Sequence, residues 1–173
     1  MFREGDASAR VGWQGNEFKR FVIGNTLYSN LGIEPAVFMD IKNVGANERL
    51  APKGTLQGWL VAIRPVIEYH KLRFAMYYTI GSILLGILKS PNSVFTIIGD
   101  TSIGKTFTLM IIASMFGNPD PEGRGLIIPG DISLTALNAI ITTITDVPVF
   151  IDEIGKMKID SRDGLIYFSR IPR

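Results

Sequence analysis

"FTIIGDTSIGKTFTLMII" occupies residues 95–112 and places a glycine-rich turn between two apolar runs. The first run predicts a buried strand over 93–99, and the second predicts a helix over 104–117. The turn fits the pattern G-x-x-x-x-G-K-[ST], which has a physical meaning only where a strand leads into the turn and a helix leaves it. Both flanks meet that condition, so this stretch predicts an α/β unit built around a phosphate-binding turn.

The residue types in this turn suit an anion. Glycines allow successive main-chain amides to point at one group, and a helix that begins at the turn adds its unpaired N–H groups. Lys105 would place a charge at the β- and γ-phosphates of ATP, and the hydroxyl of Thr106 would join the shell of Mg²⁺. The predicted nucleotide-binding residues are Gly99, Asp100, Thr101, Ser102, Ile103, Gly104, Lys105, Thr106 and Phe107.

A second motif supplies carboxylates. "VPVFIDEI" (147–154) is an apolar run that ends in Asp152 and Glu153. Ligands of open α/β sheets bind at the carboxyl ends of the strands, so a strand beside the first would bring Asp152 close to the turn. We expect Asp152, with Thr106, to hold Mg²⁺. We expect Glu153 and Lys105 to be catalytic, with Glu153 polarising the attacking water.

Strands and helices alternate around these motifs. Further strands are predicted at 125–130 and 147–154, with a helix over 131–145 that Asp131 or Ser133 would cap. This order indicates a parallel sheet with helices on its faces, and the Asp-Glu pair favours a P-loop NTPase of the RecA-like or AAA+ type. Such a core needs further strands, and only 20 residues follow Glu153. We therefore expect the core to be incomplete at its C-terminus.

The rest of the chain divides by composition. Aromatic and β-branched clusters separated by glycines predict a hairpin or meander near the N-terminus, including a turn at Gly24-Asn25. A short helix is expected near 56–63, and a long apolar helix from about Pro65 to Leu88. The expected units are a β-rich region over 1–55, a helical segment over 56–92 and the P-loop core over 93–173. We expect Trp13 and Trp59 to be core residues rather than platforms for stacked bases.

The apolar segment 74–88 requires separate treatment. Fifteen residues at about 1.5 Å rise span about 22 Å, less than the roughly 30 Å of a hydrocarbon core. We therefore expect a buried helix packed on a sheet and no membrane contact.

Composition excludes several classes of site. The 173 residues include no cysteine and one histidine, His70. Disulfides, cysteine-ligated zinc and thiol catalysis are therefore excluded, and a serine–histidine triad is disfavoured. The N-terminus is polar and shows no signal peptide, so we expect a cytoplasmic protein. The formal net charge of +2 is too small to indicate nucleic acid, although residues 90–153, which contain both motifs, are net acidic.

Together these motifs resemble the domain of unknown function 927 family, a P-loop family of phage, plasmid and mobile-element proteins often associated with primase–helicase architectures. The resemblance rests on "VGWQGNEFKRFVIG", "KGTLQGW", "GDTSIGKTFTLMIIASMFGNP", "LTALNAIITTITDVPVFIDEIGK" and "GLIYFSR". It implies an ATP-binding and ATP-hydrolysing motor domain of a DNA helicase. It also implies single-stranded DNA as partner and a homo-oligomer, with a hexameric ring as one arrangement.

Two alternatives remain open from the sequence. A non-motor P-loop switch or assembly module would bind the nucleotide without moving along DNA. A membrane-associated scaffold would use residues 74–88. No N-K-x-D guanine-reading motif is present in these residues. Because the core is expected to be incomplete, the choice between adenine and guanine nucleotides nevertheless remains open.

Overall fold

The computed structural model describes residues 7–8, 11–38, 48–100, 104–122, 125–153 and 155, and it is a mixed α/β structure. Residues 48–50 are helical, and the further helices are α1 (Leu56–Ile63), α2 (His70–Gly81), α3 (Lys105–Ala113) and α4 (Leu134–Thr143), with a 3₁₀ turn over Ser82–Leu84. Its strands are β1 (Ala7–Ser8), β2 (Gly12–Gln14), β3 (Arg20–Ile23), β4 (Thr26–Ser29), β5 (Gly32–Pro35), β6 (Val37–Phe38), β7 (Ile127–Pro129) and β8 (Phe150–Asp152).

The predicted N-terminal meander is confirmed. Strands β2, β3, β4 and β5 form an antiparallel sheet in sequence order, and β1 pairs with β6 in a separate parallel ladder. Gly24 and Asn25 form the two-residue turn between β3 and β4, in which Ile23 pairs with Thr26. Gly24 has φ +57°, a left-handed conformation that glycine adopts without steric cost.

The meander is joined to the segment that leads from α4 into β8. Val11, fully buried, donates its amide to the Thr143 carbonyl at 3.2 Å, and the Thr145 amide donates to the Val11 carbonyl at 3.2 Å.

The Trp13 indole donates to the Ile83 carbonyl at 2.9 Å, and the Trp59 indole donates to the Ser114 hydroxyl at 2.9 Å. Both tryptophans are part-buried with satisfied N–H groups, as expected of core residues.

The predicted long apolar helix from Pro65 to Leu88 is wrong. Residues 64–69 form turns, α2 begins at His70, and its regular hydrogen bonding ends at Gly81. Pro65 has no amide to donate, which accounts for the end of α1 at Ile63. Proline is tolerated at the start of a helix, so it does not by itself explain why α2 begins only at His70. At the other end the hydroxyl of Ser82 bonds to the Thr79 carbonyl at 2.7 Å, and side-chain bonds of this kind compete with the helical ladder.

The expected burial of segment 74–88 is only half right. Leu72, Ala75, Met76 and Thr79 on one face of α2 are buried. The opposite face is open to solvent, and Phe74 is 60% exposed and Tyr77 66% exposed. Across the parts of the chain that the structure describes, no helix has both the length and the apolar character needed to cross a membrane.

The predicted buried strand over 93–99 is also wrong. This segment belongs to none of the strand ladders among the described residues. Phe95 and Ile97 pack against the hydrophobic core, whereas Val94 is 62% exposed and Ile98 86% exposed. An apolar run becomes a buried strand only when neighbouring strands or helices cover both of its faces, and here one face is covered.

The alternation that follows the glycine-rich turn is confirmed with shorter boundaries. Helix α3, strand β7, helix α4 and strand β8 follow one another, and β7 pairs with β8 in parallel. Ser133 caps α4, and its hydroxyl accepts a hydrogen bond from the Ala136 amide at 3.3 Å. Among the described residues, the parallel sheet beside α3 is therefore a single pair, β7 and β8, rather than the larger parallel sheet that the sequence predicts.

One hydrophobic core joins side chains that lie far apart in sequence, from Val11 to Phe150, although none of its members comes from β4, β5 or α4. Its buried members are Val11, Leu50, Ile63, Leu72, Ala75, Met76, Ile112, Ala113, Phe116, Leu126, Ile127, Val147 and Phe150. Because α3 packs against α2 and both parallel strands, its N-terminus at Gly104 and Lys105 is held near the carboxyl end of β8.

Candidate phosphate-binding site

Helix α3 begins directly at the glycine-rich turn. Gly104 is its N-cap residue and has φ +86°, so the turn requires a left-handed conformation at this position. The amide and the hydroxyl of Thr108 both donate to the Gly104 carbonyl, at 2.9 and 3.0 Å. This bonding closes the first helical turn and leaves the N–H groups at the start of α3 without intrahelical partners, the usual condition of a helix N-terminus.

Lys105 folds back over the start of the turn. Its Nζ atom donates to the Gly99 carbonyl at 2.7 Å and to the Asp100 carbonyl at 2.5 Å. Both acceptors are neutral, and ammonium bonds to anionic oxygens are roughly twice as strong as bonds to neutral ones. A phosphate beside the turn would therefore compete effectively for this ammonium group.

Thr106 and Asp152 meet across 46 residues of sequence. The hydroxyl of Thr106 donates to Oδ2 of Asp152 at 2.9 Å. The other carboxylate oxygen, Oδ1, accepts the Glu153 amide at 2.9 Å. Both oxygens of Asp152 are thus oriented, one by the first turn of α3 and the other by the backbone that follows β8.

The pairing of β7 with β8 explains this meeting. Ile127 is opposite Phe150 and Pro129 is opposite Asp152, so the parallel register places Asp152 at the carboxyl end of the pair. Phe150 is buried in the core with Ile112 and Ala113 of α3. Core packing at one end of the helix and the Thr106 hydrogen bond at the other fix α3 against β8.

Glu153 follows Asp152 in a left-handed conformation, with φ +57°, and its side chain is exposed. Gly130 packs against it so closely that a Cβ atom there would overlap the Glu153 carbonyl. A non-glycine residue in this conformation costs of order 1–3 kcal/mol and persists only where the surroundings impose it. Sequence reasoning missed Gly130, although a Pro-Gly pair directly after a buried strand is a signal for such an approach.

The oxygen atoms at this site suit a hard cation. A hydroxyl and a carboxylate are ligands that Mg²⁺ accepts, and Mg²⁺ usually takes its other ligands from phosphates and water. Within the described ranges there is no cluster of three or more histidine, aspartate or glutamate side chains that would hold a metal alone. Thr106 and Asp152 therefore fit Mg²⁺ bound together with a nucleotide better than a resident metal centre.

The other predicted site residues have different outcomes. Gly99 and Asp100 are exposed and supply the carbonyls that bind Lys105, while Phe107 on the first turn of α3 is 59% exposed. Thr101, Ser102 and Ile103 lie outside the described residues, so their predicted contacts stay predictions.

A separate cleft of about 680 Å³ lies on the N-terminal meander. Its lining includes Glu17, Lys19, Arg20 and Glu34 but none of the residues predicted to bind nucleotide. Lys19 and Glu17 form an exposed ion pair at 2.7 Å, so these charges largely satisfy each other. The chemistry at Lys105, Thr106 and Asp152 is the more specific of the two candidates.

Comparison with known proteins gives one family and no individual relative. No curated protein matches the chain, and no solved structure matches it. A family model does match, and it covers residues 3–168, nearly the whole chain. The chain therefore belongs to the family described as Domain of unknown function (DUF927).

Proposed function

We propose that this protein is a magnesium-dependent nucleoside triphosphatase, with ATP as its substrate. The observation that carries the proposal is the 2.9 Å hydrogen bond from Thr106 to Asp152. A hydroxyl at the start of a helix and a carboxylate at the end of a parallel strand are brought together beside a lysine that follows a left-handed glycine. Each of these residues has a role in binding a triphosphate and its cation, and their convergence supports that chemistry.

The residues divide the work between them. The N-terminal amides of α3 would bind phosphate oxygens. The Lys105 ammonium group would exchange its hydrogen bond to the Gly99 carbonyl for bonds to the β- and γ-phosphates. Thr106 and Asp152 would hold Mg²⁺, which when bound neutralises charge on the phosphate oxygens. The carboxylate of Glu153, one residue beyond Asp152, would orient water and accept its proton.

The finer proposal is a motor that acts on DNA. Its support is the resemblance of the sequence motifs to phage and mobile-element ATPases, together with the Asp-Glu pair at the end of β8. The motor would work as a homo-oligomer on single-stranded DNA. A non-motor switch built on the same site is the alternative.

Hydrolysis of ATP with and without Mg²⁺ tests the site directly. Lys105→Ala should abolish binding of a fluorescent ATP analogue, whereas Lys53→Ala, at an exposed position, should bind like the parent.

Glu153→Gln should retain binding and lose roughly 10²–10⁴-fold in turnover, the range expected for removing a general base. Glu34→Gln, at an exposed position on β5, is the matched control. Turnover of Glu153→Gln at the parent rate would exclude Glu153 as the base, and unaltered ATP binding by Lys105→Ala would contradict the site.

Stimulation by single-stranded DNA separates the motor from the switch. A motor should hydrolyse ATP faster with DNA, and the stimulation should fall steeply as salt rises because phosphate contacts release counterions. A switch should hydrolyse ATP slowly and equally with and without DNA. Equal rates at low salt, with ATP binding intact, would leave the triphosphatase proposal standing and remove the motor.

A further inference from the structure

One solvent-facing stripe of α2 and the turns after it has the spacing of a helix-packing seam. Phe74, Tyr77, Gly81, Leu84 and Leu88 are separated alternately by three and four residues. This is the 3.5-residue repeat of helix packing. Helix α2 ends at Gly81, but Ser82 (φ −58°, ψ −32°) and Leu85 (φ −58°, ψ −39°) keep right-handed helical angles, so the chain continues the path of α2 beyond its end. We refer to these five residues as the α2 seam.

The α2 seam is apolar and open. Tyr77 is 66% exposed, Leu84 47% and Leu88 66%, and Ile80 and Ile87 beside the seam are also exposed. No charged residue occurs anywhere from Phe74 to Leu88. Single exposed apolar residues are ordinary, but a contiguous apolar surface of this length is typical of an interface.

The seam is not a second inner face of the same core. The inner face of α2 is already occupied by Leu72, Ala75, Met76 and Thr79, which are buried. The ring of Phe74 lies beside this packing, with its centroid 5.9 Å from that of Phe95 and 6.4 Å from that of Tyr78.

We propose that a second copy of this chain packs against the α2 seam, with the two helices antiparallel about a two-fold axis at Gly81. Gly81 is the middle residue of the seam, and a Cβ atom built on it would meet nothing within 4 Å. Two such glycines facing each other would let the helices approach closely. The aromatic half, Phe74 and Tyr77, would then cover the aliphatic half, Leu84 and Leu88, of the other copy.

This arrangement is self-complementary, as a two-fold interface must be. The antiparallel arrangement also packs the aromatic side chains of one copy against the leucines of the other. In a parallel pair, aromatic side chains would instead face aromatic side chains and leucines would face leucines.

The available area suits a dimer of modest affinity. Aromatic side chains bury roughly 150–250 Å² each when fully covered, so the exposed fractions of the seam and its flanks amount to roughly 500 Å² per copy. The pair would bury on the order of 1,000 Å² in total, near the lower limit for a specific interface. We therefore expect dissociation within the micromolar range of concentration.

Charge argues against nucleic acid as the occupant. Binding of a phosphate backbone needs several cationic side chains along the contact, and the seam contains none. Arg73 and His70 lie at its N-terminal end, where the Arg73 guanidinium is 2.7 Å from Nδ1 of His70. Lys89 follows Leu88 at the other end, so cationic side chains flank this surface but none lies along it.

Because the chain has no cysteine, single introduced thiols report the pairing directly. Gly81→Cys should form a covalent dimer under mild oxidation, and the open space around Gly81 means that the monomer tolerates the side chain. Mixing Tyr77→Cys with Leu84→Cys should give more cross-linked dimer than either variant alone. Val61→Cys, on the exposed face of α1, should remain monomeric. Stronger cross-linking of Tyr77→Cys with itself than with Leu84→Cys would overturn the antiparallel arrangement.

Sedimentation provides the second measurement. The parent chain should shift from monomer to dimer between about 2 and 200 µM, and Leu84→Glu should remain monomeric because a charge would be buried in the seam. Val61→Glu is the matched control and should dimerise like the parent. A parent chain that stays monomeric throughout, or that instead floats with neutral phosphatidylcholine vesicles, would overturn the proposal.

Discussion

Gly130 and Glu153 pack backbone against backbone at the ends of the two parallel strands, with no room between them for a side chain on Gly130. Glu153 is left-handed at φ +57°, and its amide bonds to Oδ1 of Asp152 at 2.9 Å. The shape of the chain after β8 therefore depends on a residue at the end of β7. The proposed metal ligand and the proposed base share this support.

Gly130→Ala should consequently destabilise the protein. The added methyl group would have to displace the Glu153 backbone, and overpacking of this kind costs about 1–3 kcal/mol. Urea denaturation measures the cost. Gly155→Ala is the control, since a Cβ atom at Gly155 meets nothing within 4 Å. Equal free energies of unfolding for the two variants would contradict this prediction, since they would show that the Glu153 backbone moves away from residue 130 at little cost.

Thr106→Val should weaken magnesium-dependent ATP binding or turnover by roughly 10- to 100-fold. Valine keeps the shape of threonine but removes the hydroxyl that holds Asp152 and would bind Mg²⁺. Loss of a group that orients a metal ligand typically costs roughly 10- to 100-fold in metal affinity or activity. Thr106→Ser should stay within a few-fold of the parent. Thr108→Val is the matched control, because the Thr108 hydroxyl bonds to the Gly104 carbonyl instead. Equal losses in Thr106→Val and Thr108→Val would point to damage of α3 rather than to a ligand.

Asp146→Ala should lower the free energy of unfolding by weakening the contact between the meander and the core. The Asp146 carboxylate accepts the Trp13 amide at 3.2 Å, and Asp146 itself is left-handed at φ +57°. Alanine would lose the acceptor and suit the conformation poorly, at a cost of about 2–3 kcal/mol. Asp146→Asn should cost less than about 1 kcal/mol, because asparagine tolerates left-handed angles and retains a carbonyl acceptor. Thermal unfolding of the two variants decides the matter, and a Tm for Asp146→Ala no lower than that for Asp146→Asn would exclude this role.

Ser133→Ala should destabilise the protein by about 1 kcal/mol, the usual cost of losing an N-cap side chain. The Ser133 hydroxyl accepts the Ala136 amide, and no other cap is needed to explain the start of α4. Thr135→Ala, an exposed change two residues later, should alter the free energy of unfolding by less than about 0.5 kcal/mol. Comparable losses in both variants, measured by urea denaturation, would show that helix propensity rather than capping matters here.

Local patterns predicted most of the elements that position the site. The short helix over Leu56–Ile63, the two-residue turn at Gly24-Asn25 and the capping of α4 by Ser133 are each set by a few neighbouring residues. The meeting of Thr106 with Asp152 was expected from the sequence, but by pairing β8 with a strand over 93–99 that the structure does not form. Packing of α3 on β8 brings the two residues together instead. The left-handed Glu153 was not expected, since it lies against the backbone of Gly130, which is far away in sequence and is brought close only by the fold.

The amino-acid sequence by itself determined the glycine-rich turn, the apolar run that ends in Asp152 and Glu153, and the order of α3, β7, α4 and β8, because these depend on residue type and short-range spacing. Tertiary structure alone decided which apolar surfaces are covered. Phe95 and Ile97 are packed on the core while Ile98 is 86% exposed, and α2 buries one apolar face and exposes another. A hydrophobic side chain favours burial, but whether a neighbour covers it depends on how segments distant in sequence pack together.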